Sequence, residues 1–465
     1  MTTALNRRQF VQAAGAACAS AVASPALAAQ GPTGTLFCAI DLLDEDFVHQ
    51  TGRYVGVRDG RIAYIGDREP SDAASYGERY DGRGKLLMPA LYNAHAHAPM
   101  TLLRGYAENL ALQDWLNTKV FPFEACIDDA AAGPATELAI AEMLRFGCAG
   151  FSDMYFFDDA RCEAVLASGI KCNVARSIAV FDAPSYRELP EAPANAHLLE
   201  SWDGAGDGRI KVDLCVHAEY TNGPAVCRGL AEEALEHGSI VQVHVSETRR
   251  EVEECRARHG GLSPVRFLEE CGVFDNPVVA AHCVWVDEDD IAVLAGHGAT
   301  VACNPASNLK LASGFAPVPA MLAAGVNVAL GTDGPASNNA HNLFRDAYLF
   351  ATLYKGATGD PTAVTPRQAL YAATRAGALA QGRYDCGSVA VGNRADLAVL
   401  DVDVPWMHPA TDVPANVVYA ASGAEVVLTM VDGRVLYRDG EWPTVDVERA
   451  QREVDAATER IVKML

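Results

Sequence analysis

His95 and His97 are separated by one residue in the run Asn93-Ala94-His95-Ala96-His97, which closes an apolar stretch that begins at Leu86. Residues two apart on a strand face the same side, so both imidazoles enter one space. His244 ends a second apolar run and Asp333 a third. Three imidazoles and one carboxylate suit a single borderline divalent ion, Zn2+ first and Fe2+ second. Two further groups stand close by in the chain. Glu247 follows His244 in His-Val-Ser-Glu, and His282 ends the run in Ala-Ala-His-Cys. A divalent ion lowers the pKa of its bound water to about 7, and a neighbouring carboxylate or imidazole can then take the proton. The expected chemistry is therefore metal activation of water, with Glu247, His282 and Asp333 as the proton-handling groups.

Such groups need a frame that brings chain-distant residues together. From about residue 86, short apolar runs alternate with amphipathic stretches. The runs are Leu86–His97, Cys148–Tyr155, Lys171–Ile178, Ile210–His217, Ile240–Ser246, Pro277–Cys283, Thr300–Pro305 and Asn327–Asp333. Each reads as a strand buried on both faces. Helical patterns lie between them, as at Glu137–Phe146, Ala225–His237 and Asp287–Gly296. Eight strands alternating with helices predict a (β/α)8 TIM barrel, whose site forms at the strand C-terminal ends. Those ends carry, in order, His95 and His97, Asp153, Arg176, His217, His244, His282, Asn304 and Asp333. Five of the twelve histidines fall there, too many for scattered surface positions. A lysine bridging two metals would have to stand at a strand end, but Lys171 and Lys211 begin their strands, so one metal is expected.

The flanks alternate differently. Residues 53–66, 387–401 and 425–436 read as hairpins, the first around an Asp-Gly turn, and are expected to pair into a small β-sandwich. Residues 445–463 read as an amphipathic helix. The expected division is a leader at 1–29, the sandwich from 30–87 and 385–445, the barrel at 88–384 and a C-terminal helix at 446–465.

The chain has 465 residues, half of them hydrophobic and 21% charged, enough for a large core. Lys and Arg number 37 against 60 Asp and Glu, a net charge of −23, which argues against a nucleic-acid or anionic-membrane partner. Thirteen cysteines show no CxxC pair and read as free structural thiols, Cys172, Cys215 and Cys303 among them. Residues 1–29 hold Arg7-Arg8-Gln9-Phe10, an uncharged Ala-rich stretch and Ala26-Leu27-Ala28, a small-x-small cleavage site. This reads as an export signal that resembles the twin-arginine type, and its apolar stretch is too short to span a bilayer. The expected location is periplasmic or otherwise outside the cytoplasm, with no membrane contact after processing.

The run from Asn93 to Gly105 (NAHAHAPMTLLRG) resembles the first motif of amidohydrolase-superfamily deaminases. Gly150–Tyr155, His244–Thr248, Ala281–Val284, Asn304–Leu311 and Gly331–Asn339 make the chain similar to the 5′-methylthioadenosine/S-adenosylhomocysteine deaminases of that superfamily. The resemblance implies metal ligands at His95, His97, His244 and Asp333, a proton-shuttling Glu247 and a strand-six His282. It implies a ribose-binding carboxylate at Glu124, in Phe121-Pro122-Phe123-Glu124, and further substrate positions at Arg176 and His217. Trp115 is a candidate floor for the pocket. The implied reaction is hydrolytic deamination of a small purine nucleoside (5′-methylthioadenosine, S-adenosylhomocysteine, adenosine or 5′-deoxyadenosine) to its inosine analogue and ammonia, in a chain compatible with homo-oligomers. Two departures stand out. The family usually shows His-x-Pro-Tyr where this chain has His217-Ala218-Glu219-Tyr220, so Glu219 is expected to alter the pocket near the 5′ group. Between Phe181 and His197 only Arg187 is available to hold a homocysteine tail. Other deaminases or C–N hydrolases of the superfamily, of guanine, pterin or triazine type, stay open. So does an exported metal- or nucleoside-binding protein without turnover, although binding alone needs neither Glu247 nor His282.

Overall fold

The computed structural model describes residues 33–465 apart from Asp182; the expected leader at 1–29 lies outside the described residues. Two sheets organise the chain. The first joins β1 (Thr35–Leu43), β2 (His49–Arg58), β3 (Arg61–Gly66), β4 (Glu78–Asp81) and β5 (Lys85–Pro89) from the N-terminal flank. The second is an eight-stranded parallel array of β6 (Leu91–Ala96), β7 (Cys148–Tyr155), β8 (Lys171–Arg176), β9 (Ile210–Ala218), β10 (Val241–Val245), β11 (Val278–His282), β12 (Thr300–Cys303) and β13 (Asn327–Leu330), paired in chain order. The C-terminal strands β14 (Leu397–Asp401), β15 (Val426–Val431) and β16 (Arg434–Arg438) return to the first sheet, where β14 pairs with β5.

The barrel closes through the residues that matter most. The Asp333 N–H donates to the His95 carbonyl at 2.9 Å, and Ala96 bridges to Asp333 in parallel register. The Asn93 side chain pins the same seam, donating to Thr332 Oγ1 at 2.7 Å and accepting from the Thr332 N–H at 3.0 Å. The first and last strands thus bring His95 and Asp333 together by backbone pairing.

Three details differ from the sequence reading. The run Leu86–His97 is two strands, and the chain leaves the flank sheet for the barrel at Ala90 rather than at 87/88. Pro89 has no N–H to continue a ladder, and the next amides turn to new partners, Ala90 to Asp396 and Leu91 to Gly147. Residues 387–401 form no hairpin. Only β14 is a strand, and the segment before it turns, with Asn393 donating to Ser388 Oγ at 2.8 Å. The helix expected from Glu137 begins at Asp129, capped by Asp128, and carries Pro134 inside it. The hairpins at Asp59-Gly60 and Asp432-Gly433 form as read, with both turn residues at positive φ, the geometry that matches strand twist. The flank strands share one continuous hydrogen-bonded sheet around an apolar cluster of their own that includes Phe37, Val55, Leu397 and Leu428.

The C-terminal helix, Val447–Val462, buries Ala450, Val454, Ala457 and Ile461 along one stripe. Its cluster includes Met100, Leu116 and Phe123, so the helix supports the segment that covers the barrel mouth. Cys172, Cys215 and Cys303 are buried free thiols. Among the described residues no helix is long and apolar enough to cross a membrane.

Lys171 and Lys211 sit at the strand starts, far from the mouth. Lys171 is buried and joins barrel to flank sheet, with Nζ 2.6 Å from Asp396 and 2.8 Å from Asp432. Tyr92 also donates to Asp396. Lys171→Met would leave two acids without their buried cation, and removing one partner of a buried pair costs about 3–5 kcal/mol. Denaturant unfolding of this variant should show a loss of that size; a loss below about 1 kcal/mol, typical of exposed pairs, would mean that the pair is not what joins the domains.

Candidate active site

Several barrel strands end in residues that line the cavity at the mouth, and several ends are held in backbone conformations that side chains rarely adopt. Ser246 (φ 51°), His282 (φ 71°) and Asp333 (φ 61°) lie in the left-handed region, and such strain collects where function needs a particular placement.

His95 and His97 meet edge to face, with ring centroids 4.7 Å apart. His97 Nδ1–H donates to the Met154 carbonyl at 2.6 Å, and His244 Nδ1–H donates to the His217 carbonyl at 2.7 Å. Both rings therefore present bare Nε2 lone pairs, which face each other at 3.3 Å. Asp333 Oδ1 lies 3.1 Å from His97 Nε2 and 3.5 Å from His95 Nε2. Its other oxygen, Oδ2, accepts from Ser307 at 2.6 Å and Ser337 at 2.8 Å. His95 Nε2 is buried with no hydrogen-bond partner. Facing lone pairs and an orphaned imidazole nitrogen repel unless a cation sits among them. Two nitrogens bound to one tetrahedral Zn2+ at 2.0–2.1 Å would stand about 3.3 Å apart. The four residues fit a divalent metal, and the carbonyls that fix the histidine tautomers do what outer partners of metal ligands do.

Glu247 and His282 flank this cluster. Glu247 is buried, its Oε1 accepts from Ser313 Oγ at 3.0 Å, and burial raises its carboxyl above the usual range. His282 Nδ1–H donates to Asn308 Oδ1 at 2.8 Å, which leaves Nε2 facing Glu247 Oε2 at 3.8 Å. His217 lines the same cavity, its Nδ1 2.9 Å from Thr221 Oγ1. Burial, then the proximity of His97 and His95, lowers His217 to about 3, so it works as a neutral hydrogen-bonding group.

Glu124 ends the short helix Phe121–Glu124. Phe123 anchors that turn in the mouth cluster, and Glu124 lines the same cavity as the histidines, beside Tyr155. Burial pushes its carboxyl up to about 7, against the opposing pull of Tyr155 and His97. A carboxyl near 4.5 when unfolded and about 7 when folded binds its proton more tightly in the native state. It favours folding in acid, and that contribution is lost as pH rises through about 7. Glu124→Gln should therefore match the wild type in stability at about pH 4 and exceed it by roughly 3 kcal/mol at about pH 8. Denaturant titrations at both pH values check this; a difference independent of pH would refute the burial of a titrating group there.

Three sequence-read positions do not join the site. Arg176 lies outside the cavity lining, and its guanidinium pairs with Asp158 at 2.8 Å. Asp158 also holds the fully buried Arg161, which reaches Asp153. Glu219 does not face the pocket either. Its carboxylate is buried against Arg258 and His259, and its neighbour Tyr220 lines the cavity instead. Arg187 pairs with Glu236 on the surface. Trp115 lines the cavity and donates Nε1–H to the Ala107 carbonyl at 3.0 Å. The sequence reading gave no role to Ser307, Asn308, Ser313 or Ser337; all but Ser313 stand inside motifs it quoted, but which side chain each would meet depends on how the segments after the strands pack.

With this geometry in view, the chain can be set beside known proteins. It is 40% identical over 402 residues to a 5-methylthioadenosine/S-adenosylhomocysteine deaminase of Dictyoglomus thermophilum, covering 85% of this chain and 93% of the relative. It is 40% identical over 410 residues to a 5′-deoxyadenosine deaminase of Methanosarcina acetivorans, covering 88% and 93%. The crystal structure of an adenosine deaminase from Xanthomonas campestris with bound zinc superposes with a TM-score of 0.87 at 32% identity, covering 93% of this chain and 99% of that one. The model of the amidohydrolase family matches residues 86–436, a span that contains all eight barrel strands and the whole histidine–aspartate cluster, and the chain belongs to that family.

Proposed function

We propose that this chain is a metal-dependent aminohydrolase that converts adenosine-type nucleosides to their inosine analogues and ammonia. The observation that carries the reading is the convergence of His95, His97 and His244, with Asp333 against His95 and His97, beside a buried Glu247, and with Glu124 lining the same cavity. The relatives' activities support the substrate class. Zn2+ is the ion we assign, supported by the zinc in the Xanthomonas structure.

The reaction breaks the C6–N bond of the purine and forms a C6–O bond with water. When bound, the ion supplies Lewis-acid activation of that water near neutral pH. Asp333, steadied at Oδ2 by Ser307 and Ser337, would serve the ion through Oδ1 and can also take a proton from the water as the C–O bond forms. His282, its Nδ1–H tied to Asn308, offers Nε2 for the same purpose. Burial disfavours the Glu247 anion, and the protonated form delivers its proton to ring N1. A second transfer through the same groups lets the exocyclic amine leave as ammonia. Glu124 accepts hydrogens from the 2′ and 3′ hydroxyls. Leu112, Trp115, Leu116 and Phe156 line the cavity and keep bulk water from the ring.

No lysine or arginine lines this cavity among the described residues, and Arg176 and Arg187 are both paired elsewhere. Neutral 5′ groups, such as hydroxyl, hydrogen or methylthio, are therefore preferred over the charged tail of S-adenosylhomocysteine and over AMP. Ammonia release from adenosine, 5′-deoxyadenosine, 5′-methylthioadenosine, S-adenosylhomocysteine, AMP, adenine, guanine and cytosine tests the assignment. A guanine- or cytosine-only profile would refute it. Metal analysis should find about one ion per chain, and His244→Ala should bind it far more weakly, since removing one of four protein ligands opens the set. Two ions per chain would overturn the single-metal reading.

Export is the second part of the proposal, and it rests on the segment Arg7-Arg8-Gln9-Phe10 and the small-x-small site at Ala26–Ala28. Replacing Arg7 and Arg8 together by Lys should keep the protein in the cytoplasm of its host. Full-length wild-type protein in that cytoplasm, with no form starting near Ala29, would refute it.

A further inference from the structure

Glu219 is a fully buried carboxylate at the edge of the site, and nothing in the proposed chemistry uses it. It stands between two cavity residues, His217 at the end of β9 and Tyr220 in the following turn. Its side chain points the other way. Oε1 accepts from Arg258 Nε at 3.1 Å and from His259 Nε2 at 2.7 Å, and Oε2 accepts from Arg258 Nη2 at 2.7 Å. This is a two-pronged arginine–carboxylate pair, a geometry that fixes orientation as well as distance. His259 is itself held, stacked on Phe267 at 4.1 Å between centroids.

Arg258 and His259 lie at the C-terminal end of the helix Arg249–Arg258, and the other end of that helix grips Glu247. Thr248 caps it, and Glu251, in its first turn, turns back to accept the Ser246 and Glu247 N–H groups at 2.7 Å each and the Thr248 N–H at 3.4 Å. One helix therefore joins the backbone of the proton carrier to the loop after His217. A cation is not the better reading of this cluster. Glu219, Cys255 and His259 do bring ligand atoms within 4.8 Å of one another, but Arg258 already neutralises the carboxylate and occupies both of its oxygens.

We infer that Glu219 is a positioning residue for Glu247, acting through Arg258 and the helix Arg249–Arg258. The inference rests on the assignment of Glu247 as proton carrier. The pair sets where the helix lies, the helix sets the Glu247 backbone through Glu251, and a proton donor must be placed to within an ångström to act. Misplacement on that scale costs up to about a hundredfold in rate.

The test uses the metal-loaded full chain with Glu219→Gln, Arg258→Gln, the double variant and Arg258→Lys. The last keeps the charge but loses the fork, and at a side chain 29% exposed it is readily accommodated. Each single Gln variant should lower kcat for adenosine-type nucleosides about tenfold to a hundredfold. KM should stay within about twofold, metal content should not change, and the pH profile of kcat should shift. The double variant should be no slower than the worse single, because both break one link. Hydrogen exchange at the Ser246–Thr248 amides should speed up in all four variants. Unchanged exchange there, or additive losses of kcat, would overturn the inference, as would a lowered Tm with kcat and pH profile intact. Exchange is read without substrate, so an inactive wild type would count against the assigned reaction while the exchange result still decides the role of Glu219.

Discussion

Glu247→Gln is expected to leave the fold and the bound metal in place and to lower kcat by about 10²–10⁴, the usual contribution of a positioned general acid–base group. The amide matches the carboxylate in size and can keep the hydrogen bond from Ser313, which reaches Oε1 at 3.0 Å. The backbone is held independently, since the Glu247 N–H is bound by Glu251. What the variant loses is a proton that can leave and return. The wild-type carboxyl is raised by burial, and the nearby Asp333 pushes the same way while His282 opposes, which favours the protonated form that can give its proton to a ring nitrogen. Metal content and Tm of the variant separate loss of chemistry from loss of structure. Turnover within about threefold of wild type, with the metal bound, would take Glu247 out of the mechanism, because no general acid–base role is that small.

The site was legible where its chemistry lies at strand ends. A residue at the end of a parallel barrel strand has its direction fixed by the fold, so His95, His97, His244, His282 and Asp333 could be placed from their positions in apolar runs alone. The same logic fails one residue further on. Glu219 follows β9, but the chain turns there into the short 3-10 turn Glu219–Thr221, and alternation no longer says which side chain faces the cavity. Arg176 ends β8 as read, yet Asp158, the first residue of the helix Asp158–Ser168 that follows β7, captures its guanidinium. That contact depends on a loop path that no local pattern encodes. Ser307 and Asn308 reach the site from the short helix Pro305–Lys310, and Ser313 and Ser337 from the segments after it, all of which come together only when the barrel closes. The flanks show a related limit. Asp-Gly turns announced two hairpins correctly, whereas residues 387–401 alternate like a hairpin without a turn that would pair their halves. The run through Pro89 looked continuous because both of its strands are buried, and only the change of hydrogen-bond partners at Ala90 divides them.

The second large effect should appear when the sugar, not the base, is altered. Adenosine should be deaminated far more efficiently than 2′,3′-dideoxyadenosine or free adenine, by up to about 10⁴-fold in kcat/KM. A site that hydrogen-bonds a hydroxyl leaves a buried acceptor unpaired when the hydroxyl is missing. Glu124 is such an acceptor. It lines the same cavity as the metal cluster, and burial pushes its carboxyl up to about 7, so full ionisation is favoured when donors arrive. Two ribose hydroxyls provide them, and part of the binding energy of the sugar is then used to place C6 against the strand ends. Glu124→Ala should therefore remove most of the advantage of adenosine and leave any slow adenine turnover nearly unchanged, since adenine never made that contact. The comparison needs kcat/KM for the three compounds in both proteins. Equal efficiency on adenosine and 2′,3′-dideoxyadenosine in the wild type would show that Glu124 does not clamp the ribose, and the cavity would then be reading the base alone.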